Sequence, residues 1–399
     1  MSLKYGHTLL SIPGPSMVPN RVLNAMHRPS PNIYEGELLD MTDTVFRDLK
    51  AVARTKKKLA MYITNGHGAW EAALVNTMSE GDTVLVLETG HFSRAWGDMA
   101  IALGLNIENI NFGTTSDVDP NILEERLRAD RQGQIKGVLM VQTDTASSVK
   151  NDVAAVKQVL ELLGHQALLM VDCIASLGCD RFEMDEWGVD VMVAASQKGL
   201  MTPTGISLVF FGENASRRRD NLERISPYWD WKPRSDAEYF YRNFCGTAPT
   251  HHLFGLREAL NILVLEEGIE NAWNRHGTIA SAVWAAVDAW GEDIRLNIVD
   301  PNKRSCAVTT VHTGAGVAKR LRHWCEEEAG VTLGIGLGLA PPGPEGLDSI
   351  FRIGHMGHVN VPMIIGTLGA IDAGLKSLKV RGGSGALDAA TTALSRHCL

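Results

Sequence analysis

Three apolar stretches near the middle of the chain lack the polar alternation of a half-exposed strand: Ala167–Asp172, Val189–Lys198 and Gly205–Phe211. Runs of this kind fit strands covered on both faces, as in a parallel sheet or the strand adjoining one. Elsewhere short apolar runs alternate with helical patterns: Leu59–Thr64 before Ala69–Met78, Thr83–Leu87 before Phe92–Leu103, and Lys136–Val141 before Asp152–Leu163. That alternation predicts right-handed βαβ units and a mostly parallel sheet over roughly residues 20–250. Leu256–Glu267 and Ile269–Trp290 predict long helices leading to a smaller C-terminal α+β unit, whose signals are Cys306–His312, Val317–Glu328, Phe351–Gly354 and Pro362–Leu378. No internal repeat is visible. The Gly-rich Arg381–Gly385 reads as a loop before a short tail helix with frayed last residues.

With 399 residues the chain exceeds a single hydrophobic core, so a large and a small domain are expected. A net charge of −8 gives no sign of a nucleic-acid partner. Charged residues make up 21% and apolar ones 45%, an ordinary soluble profile. No apolar run reaches the ~18 residues of a membrane span, and Met1–His7 lacks the apolar core of a signal peptide, so no membrane partner and a cytoplasmic location are expected. The cysteines at 173, 179, 245, 306, 325 and 398 show no C-x-x-C spacing, which suggests free thiols rather than a zinc site or a disulfide framework. His251-His252 and His355-Met-Gly-His358 lack a third ligand at metal spacing, so no metal is expected.

Asp172 and Lys198 each fall where a predicted strand ends. In an open α/β sheet the carboxyl ends of strands border the ligand crevice, so a carboxylate and an amine distant in sequence meet there. That pair suits pyridoxal phosphate (PLP). A lysine amine forms a Schiff base with the cofactor aldehyde, and a carboxylate holds the pyridine nitrogen protonated. Thr64-Asn-Gly-His-Gly68 follows a strand and opens a helix, where close-approaching backbone and the positive end of the helix dipole attract an anion such as phosphate. Near the N-terminus, Pro13-Gly-Pro15 is a stiff turn.

Ser196-Gln-Lys-Gly199 followed by Thr202-Pro-Thr-Gly205 resembles the Schiff-base lysine segment of the serine–glyoxylate and alanine–glyoxylate aminotransferases, and Met170–Gly178 resembles their aspartate segment. The resemblance runs from Pro13 to Gly357. It implies the PLP-dependent transferase fold of type I, an α/β fold whose large domain (residues 20–265) carries a mostly parallel seven-stranded sheet, with a smaller α+β domain from residues 1–19 and 266–399. By the same resemblance Lys198 and Asp172 are catalytic, Asn65, Gly66 and His67 hold the phosphate, and Phe92 stacks on the cofactor ring. Thr145 bonds the cofactor's phenolic oxygen or a substrate carboxylate, and Ile174 and Gln197 complete the cofactor contacts. The loop Phe244–Pro249 is similar to one that relatives extend into the neighbouring subunit. It puts Thr247 on that subunit's cofactor phosphate and implies a homodimer with shared active sites. Arg352, in Phe351-Arg-Ile-Gly354, grips the substrate carboxylate through its planar fork.

Four positions in three segments depart from the family pattern. Tyr34-Glu35 stands where many relatives carry an arginine, Ser148 replaces a glycine whose position favours positive φ, and Phe244 replaces a tyrosine. The expected activity is amino transfer from serine or alanine to glyoxylate or pyruvate, because a dicarboxylate donor needs a second cation for its distal charge. Lys198, once released from the cofactor, is the expected base for the α-proton, its pKa lowered by burial. The alternatives are an aspartate–glyoxylate transaminase and a lyase or desulfurase with Cys325 or Cys306 as mobile nucleophile. A PLP-binding regulator needs a DNA-binding module, for which the expected domains leave no room.

Overall fold

A computed structural model describes residues 2–291 and 293–396. Among these residues the strands form two sheets. The larger runs in the order β2 (Lys58–Tyr62), β8 (Ser207–Phe211), β7 (Val191–Ala195), β6 (Leu168–Asp172), β5 (Ile135–Val141), β3 (Thr83–Glu88), β4 (Asn106–Asn111). β8 is antiparallel to both neighbours, and the other pairs are parallel.

Every residue of β6, β7 and β8 is buried, as their unbroken apolar runs predict. Alternate side chains of a strand point to opposite faces, and the two faces here pack into separate clusters. Leu169, Val171, Met192, Ala194, Leu208 and Phe210 pack with the helices Glu37–Val52, Val153–Leu162 and Thr250–Leu260. Leu168, Met170, Val191, Val193, Val209 and Phe211 pack instead with Gly66–Val75 and His91–Ala102. β4 has no counterpart among the predicted strands. Its sequence, Asn-Ile-Glu-Asn-Ile-Asn, is polar because it is an edge strand paired only with β3, and polar edges resist pairing with another chain.

The second sheet has the order β1 (Leu9–Ser11), β11 (Val331–Ile335), β12 (Ile350–Gly354), β10 (Val308–His312), β9 (Arg295–Leu296). β1 pairs parallel with β11, so a segment that precedes every strand of the large sheet belongs to the small one. Helices Ile269–Trp290, Val317–Ala329, Val361–Ser377 and Ala386–Ser395 supply its core. The helix expected over 256–267 is divided: Thr250–Leu260 is α-helical and Asn261–Glu267 is a π-helix, closed by Gly268. The wider turn keeps Leu260 and Leu263 in the large-sheet cluster while Glu267 reaches Arg275, 2.5 Å away, in the following helix. The tail helix stands where the Gly-rich signal predicts it. Its expected frayed end and Cys398 lie outside the described residues. No described helix is long and apolar enough to cross a membrane.

Ser148 adopts φ +63°, so the backbone keeps the turn that a glycine would favour and serine takes on the strain. Its hydroxyl compensates, donating to the Ser147 carbonyl (2.6 Å) and accepting from the Thr310 N–H of β10 (3.2 Å). Ser148→Ala removes both bonds and keeps the left-handed conformation, whereas Ser148→Gly removes the bonds and the strain together. The glycine variant should be the more stable of the two by about 1 kcal/mol in urea denaturation.

Candidate active site

The crevice opens at the carboxyl ends of β5, β6 and β7. Asp172 is the last residue of β6, and Lys198 lies in a turn beyond β7. The turn is closed by Thr202 N–H to Ser196 O (3.1 Å), Thr202 hydroxyl to Ser196 O (3.0 Å) and Ser196 hydroxyl to Pro203 O (2.8 Å). The N-terminal segment clamps it from outside. Ser16 donates its N–H to Gln197 O (2.8 Å) and its hydroxyl to Lys198 O (2.7 Å), and the Lys198 amine donates to Pro13 O. Gly14 permits this approach: its φ is +102°, and a Cβ there would sit 2.4 Å from Lys198 Nζ.

Asp172 is buried, with Oδ1 accepting from the Ile174 N–H (2.6 Å) and Oδ2 from the Trp70 indole (2.9 Å). Burial pushes its carboxyl up to about 7, helped by nearby Asp144 and opposed by those two donors and by Lys198. Lys198 is lowered to about 8, first by burial and then by the Arg352 charge, with Asp172 pulling the other way. The amine is therefore partly neutral near pH 8, which a nucleophile and proton carrier requires.

Asp172 and Lys198 line a cavity of about 250 Å³ together with Asn65, Gly66, His67, Phe92, Thr145, Ile174 and Gln197. Asn65 caps the Gly66–Val75 helix, its side-chain oxygen accepting from the His67 N–H (3.1 Å). A Cβ on Gly66 would lie 2.4 Å from Ile174 Cδ1, so glycine alone keeps that helix end against the cavity wall. Partial burial and neighbouring His91 hold the His67 ring below its ordinary value. Phe92 meets Trp70 edge-on at 6.3 Å, and Trp70 stacks on Trp96 at 5.9 Å, which makes a stiff aromatic wall.

Arg352 does not line the cavity itself. It sits on β12, buried, with Nε donating to Ile335 O (2.5 Å) and Nη1 to Thr145 O (2.8 Å). Burial lowers it to about 10, although Asp144 favours its charge. Thr247 is exposed and outside the cavity. Phe244 is buried in the large-sheet core against Phe240. Tyr34 and Glu35 are exposed and do not reach the cavity. Trp70, Ser16 and Asp144 were missed from sequence. Trp70 had a usable signal, since it follows Gly66 by one helical turn and so shares its face.

The cavity fits PLP. It offers an amine, a buried carboxyl whose protonation a cationic ring nitrogen would reverse, the helix N-terminus at Gly66 for a phosphate, and an aromatic wall. Gln197 Oε1 is buried with no partner among the described residues, an acceptor left free for a ligand. Fold and site together define a PLP-dependent transferase of fold type I, and the comparisons narrow the class. The chain belongs to the aminotransferase class-V family, whose model matches residues 9–345, and it is a PLP-dependent aminotransferase. It is 36% identical to the serine–glyoxylate aminotransferase of Methylorubrum extorquens, covering 95% of this chain and 94% of that one. Identity to the L-aspartate–glyoxylate aminotransferase of Paracoccus denitrificans is 33%, over 89% and 87% of the two chains. The crystal structure of ureidoglycine–glyoxylate aminotransferase from Bacillus subtilis superposes with a TM-score of 0.88 at 24% identity, covering 99% of this chain and 100% of that one.

Borohydride trapping of PLP on the apoprotein should place the label on Lys198, and Lys198→Ala should carry none. Because only the neutral amine attacks, the attachment rate should fall about tenfold per pH unit below the lysine's pKa, which lies near 8. Label on another lysine, or a rate flat from pH 6 to 8, would contradict the assignment.

Proposed function

We propose that the enzyme moves the amino group of a small donor, serine or alanine, to glyoxylate or pyruvate. The observation that carries this reading is the supply of cations: among the described residues no arginine lines the cavity, Arg352 reaches Thr145 just behind it, and Arg322, whose charge acts on Arg352, does not line the cavity either. Arg94, on the helix that bears Phe92, is held by the buried Glu88 carboxylate, Nε to Oε1 at 2.9 Å. A second substrate carboxylate would thus be buried without a counter-charge, which costs several kcal/mol.

When bound, PLP supplies an aldehyde that takes up the amine and a ring that accepts electrons. Lys198 would take the α-proton from the donor's α-carbon and deliver it to the cofactor's former aldehyde carbon, and would run the same transfer in reverse, onto the acceptor's α-carbon, in the second half-reaction, since its lowered pKa lets it both accept and give near neutral pH. Asp172, kept in place by Trp70 and the Ile174 N–H, would set a negative charge against the ring nitrogen. Asn65, Gly66 and His67 would receive the phosphate at the helix N-terminus, with Phe92, Ile174, Gln197 and Thr145, which line the same cavity, available to hold the rest of the cofactor. Arg352 would hold the substrate α-carboxylate.

Thr247 is taken to serve the neighbouring protomer's phosphate, in a homodimer. Its exposure supports this, as do exposed Tyr34 and the stacked, exposed pair Tyr239 and Tyr241, 5.9 Å apart. Residues 20–265 are read as the large domain and 1–19 with 266–399 as the small one, a division supported by the membership of β1 in the second sheet. A cytoplasmic location suits five cysteines that form no disulfide. A desulfurase reading is disfavoured. Cys325 is buried on a helix with its thiol pushed up to about 12, burial likewise raises Cys306, and neither lines the cavity.

At saturating glyoxylate, kcat/KM for serine or alanine should exceed that for aspartate and glutamate at least about tenfold, and a reversed order would reveal a second cation. Thr247→Ala should weaken PLP retention by about 1 kcal/mol. Subunit exchange between Lys198→Ala and Thr247→Ala proteins should then regenerate one site per mixed dimer with full PLP affinity, whereas unshared sites would gain nothing.

A further inference from the structure

Asp144 is completely buried and has no place among the groups assigned above. One of its oxygens accepts from the backbone N–H groups of Phe92 (2.7 Å) and Ser93 (3.3 Å), and the other accepts from the Ala146 N–H (2.9 Å). The first two are open donors at the start of the His91–Ala102 helix, so the carboxylate caps the helix that bears Phe92. The third bond closes the turn from Asp144 to Ser148, along with Ser148 N–H to Asp144 O (2.7 Å). Thr145 sits in that turn. Its side is toward the cavity, and its carbonyl takes Arg352 Nη1.

Arg352 thereby has Nε and Nη1 committed to the Ile335 and Thr145 carbonyls, and among the described residues Nη2 has no acceptor. Gly90 bears independently on the same carboxylate. Its φ of 172° is extended backbone that any residue adopts, yet a Cβ there would lie 2.3 Å from Asp144 Cγ. Glycine is needed at 90 for clearance of that carboxylate rather than for conformation. Burial raises the Asp144 carboxyl above its ordinary value against the pull of its backbone N–H donors, and its ionised form favours the charged form of Arg352 and raises Asp172.

We propose that Asp144 is a positioning residue that ties the Phe92 wall and the Thr145 carbonyl to a single buried carboxylate, so that Arg352 presents its free Nη2 edge to the α-carboxylate of both the amino donor and the oxo acid. This rests on the reading of Arg352 as the carboxylate grip. The turn is rigid because both of its attachments are short and buried. Loosening it lets the guanidinium rotate out of line without removing its charge.

The test compares Asp144→Asn, Gly90→Ala, Arg352→Ala and, as a stability control, Asp119→Ala, which uncaps the surface helix Pro120–Ala129. Each holoenzyme is assayed for kcat and for KM of both substrates. Each is also titrated with 2-methylalanine, which has the amine and carboxylate but no α-hydrogen, with binding read from the visible spectrum. Asp144→Asn and Gly90→Ala should each raise both KM values and the 2-methylalanine dissociation constant about tenfold with a much smaller change in kcat. Adding Asp144→Asn to Arg352→Ala should change them little further, since the two act as one unit. Asp119→Ala should lower the melting temperature and leave the constants alone. Should Asp144→Asn not fold, Gly90→Ala, which keeps the carboxylate and displaces it, decides. If Arg352→Ala loses 2-methylalanine while Gly90→Ala and folded Asp144→Asn bind it as the native enzyme does, the role of Asp144 is refuted and the Arg352 reading stands. Native binding by Arg352→Ala refutes both, and equal shifts in Asp119→Ala refute a specific role for Asp144.

Discussion

A buried amine and a buried carboxylate face one cavity without bonding each other, and much of the surrounding structure exists to sustain that arrangement. Burial disfavours both charged forms: it lowers Lys198 to about 8 and pushes Asp172 up to about 7. Left alone, two such groups would form an ion pair and lose their separate uses. Here each is committed elsewhere, Lys198 to the Pro13 carbonyl and Asp172 to the Ile174 N–H and the Trp70 indole. The resulting gap is where the cofactor fits.

The commitment of Lys198 accounts for the place of β1 in the small sheet. β1 is anchored on β11, so the next few residues, Pro13 to Ser16, approach the lysine turn from that side and bond its backbone. Glycines mark the tight contacts along this path. A Cβ on Gly354 would lie 2.0 Å from Ile12 O, and one on Gly334 would lie 2.6 Å from Pro13 Cδ. His276 acts similarly from the helix Ile269–Trp290, accepting the Gly357 N–H (3.0 Å), and burial lowers it to about 3, which keeps it a neutral acceptor. Gly357 in turn packs on the Lys198 carbonyl.

The turn from Asp144 to Ser148 joins the two sheets in the same manner. Thr310 of β10 donates its hydroxyl to Ala146 O (2.9 Å) and its N–H to Ser148 Oγ (3.2 Å), and Arg352 of β12 reaches Thr145 O. Any shift of the second sheet would therefore pass directly to residues that line the cavity. Such polar stitching is directional, unlike apolar packing, and so fixes orientation as well as distance.

The sequence determined whatever depends on local chemistry. Unalternating apolar runs mark strands covered on both faces, so β6, β7 and β8 were legible, and with them the strand ends where Asp172 and Lys198 stand. The glycine-rich helix start at Asn65–Gly66 was legible for the same reason. β4 was not, because an edge strand carries little apolar signal, and neither was the π-turn, because its residues suit an ordinary helix. Partnerships across long sequence separations were decided only in three dimensions: Trp70 with Asp172, Ser16 with Lys198, Asp144 with Phe92 and, through Thr145, Arg352. Nothing in Gln142–Val149 as a sequence distinguishes a solvated polar loop from a buried cap. Only the arrival of a helix N-terminus and an arginine from separate parts of the chain gives Asp144 its partners, and burial then makes those bonds strong enough to matter.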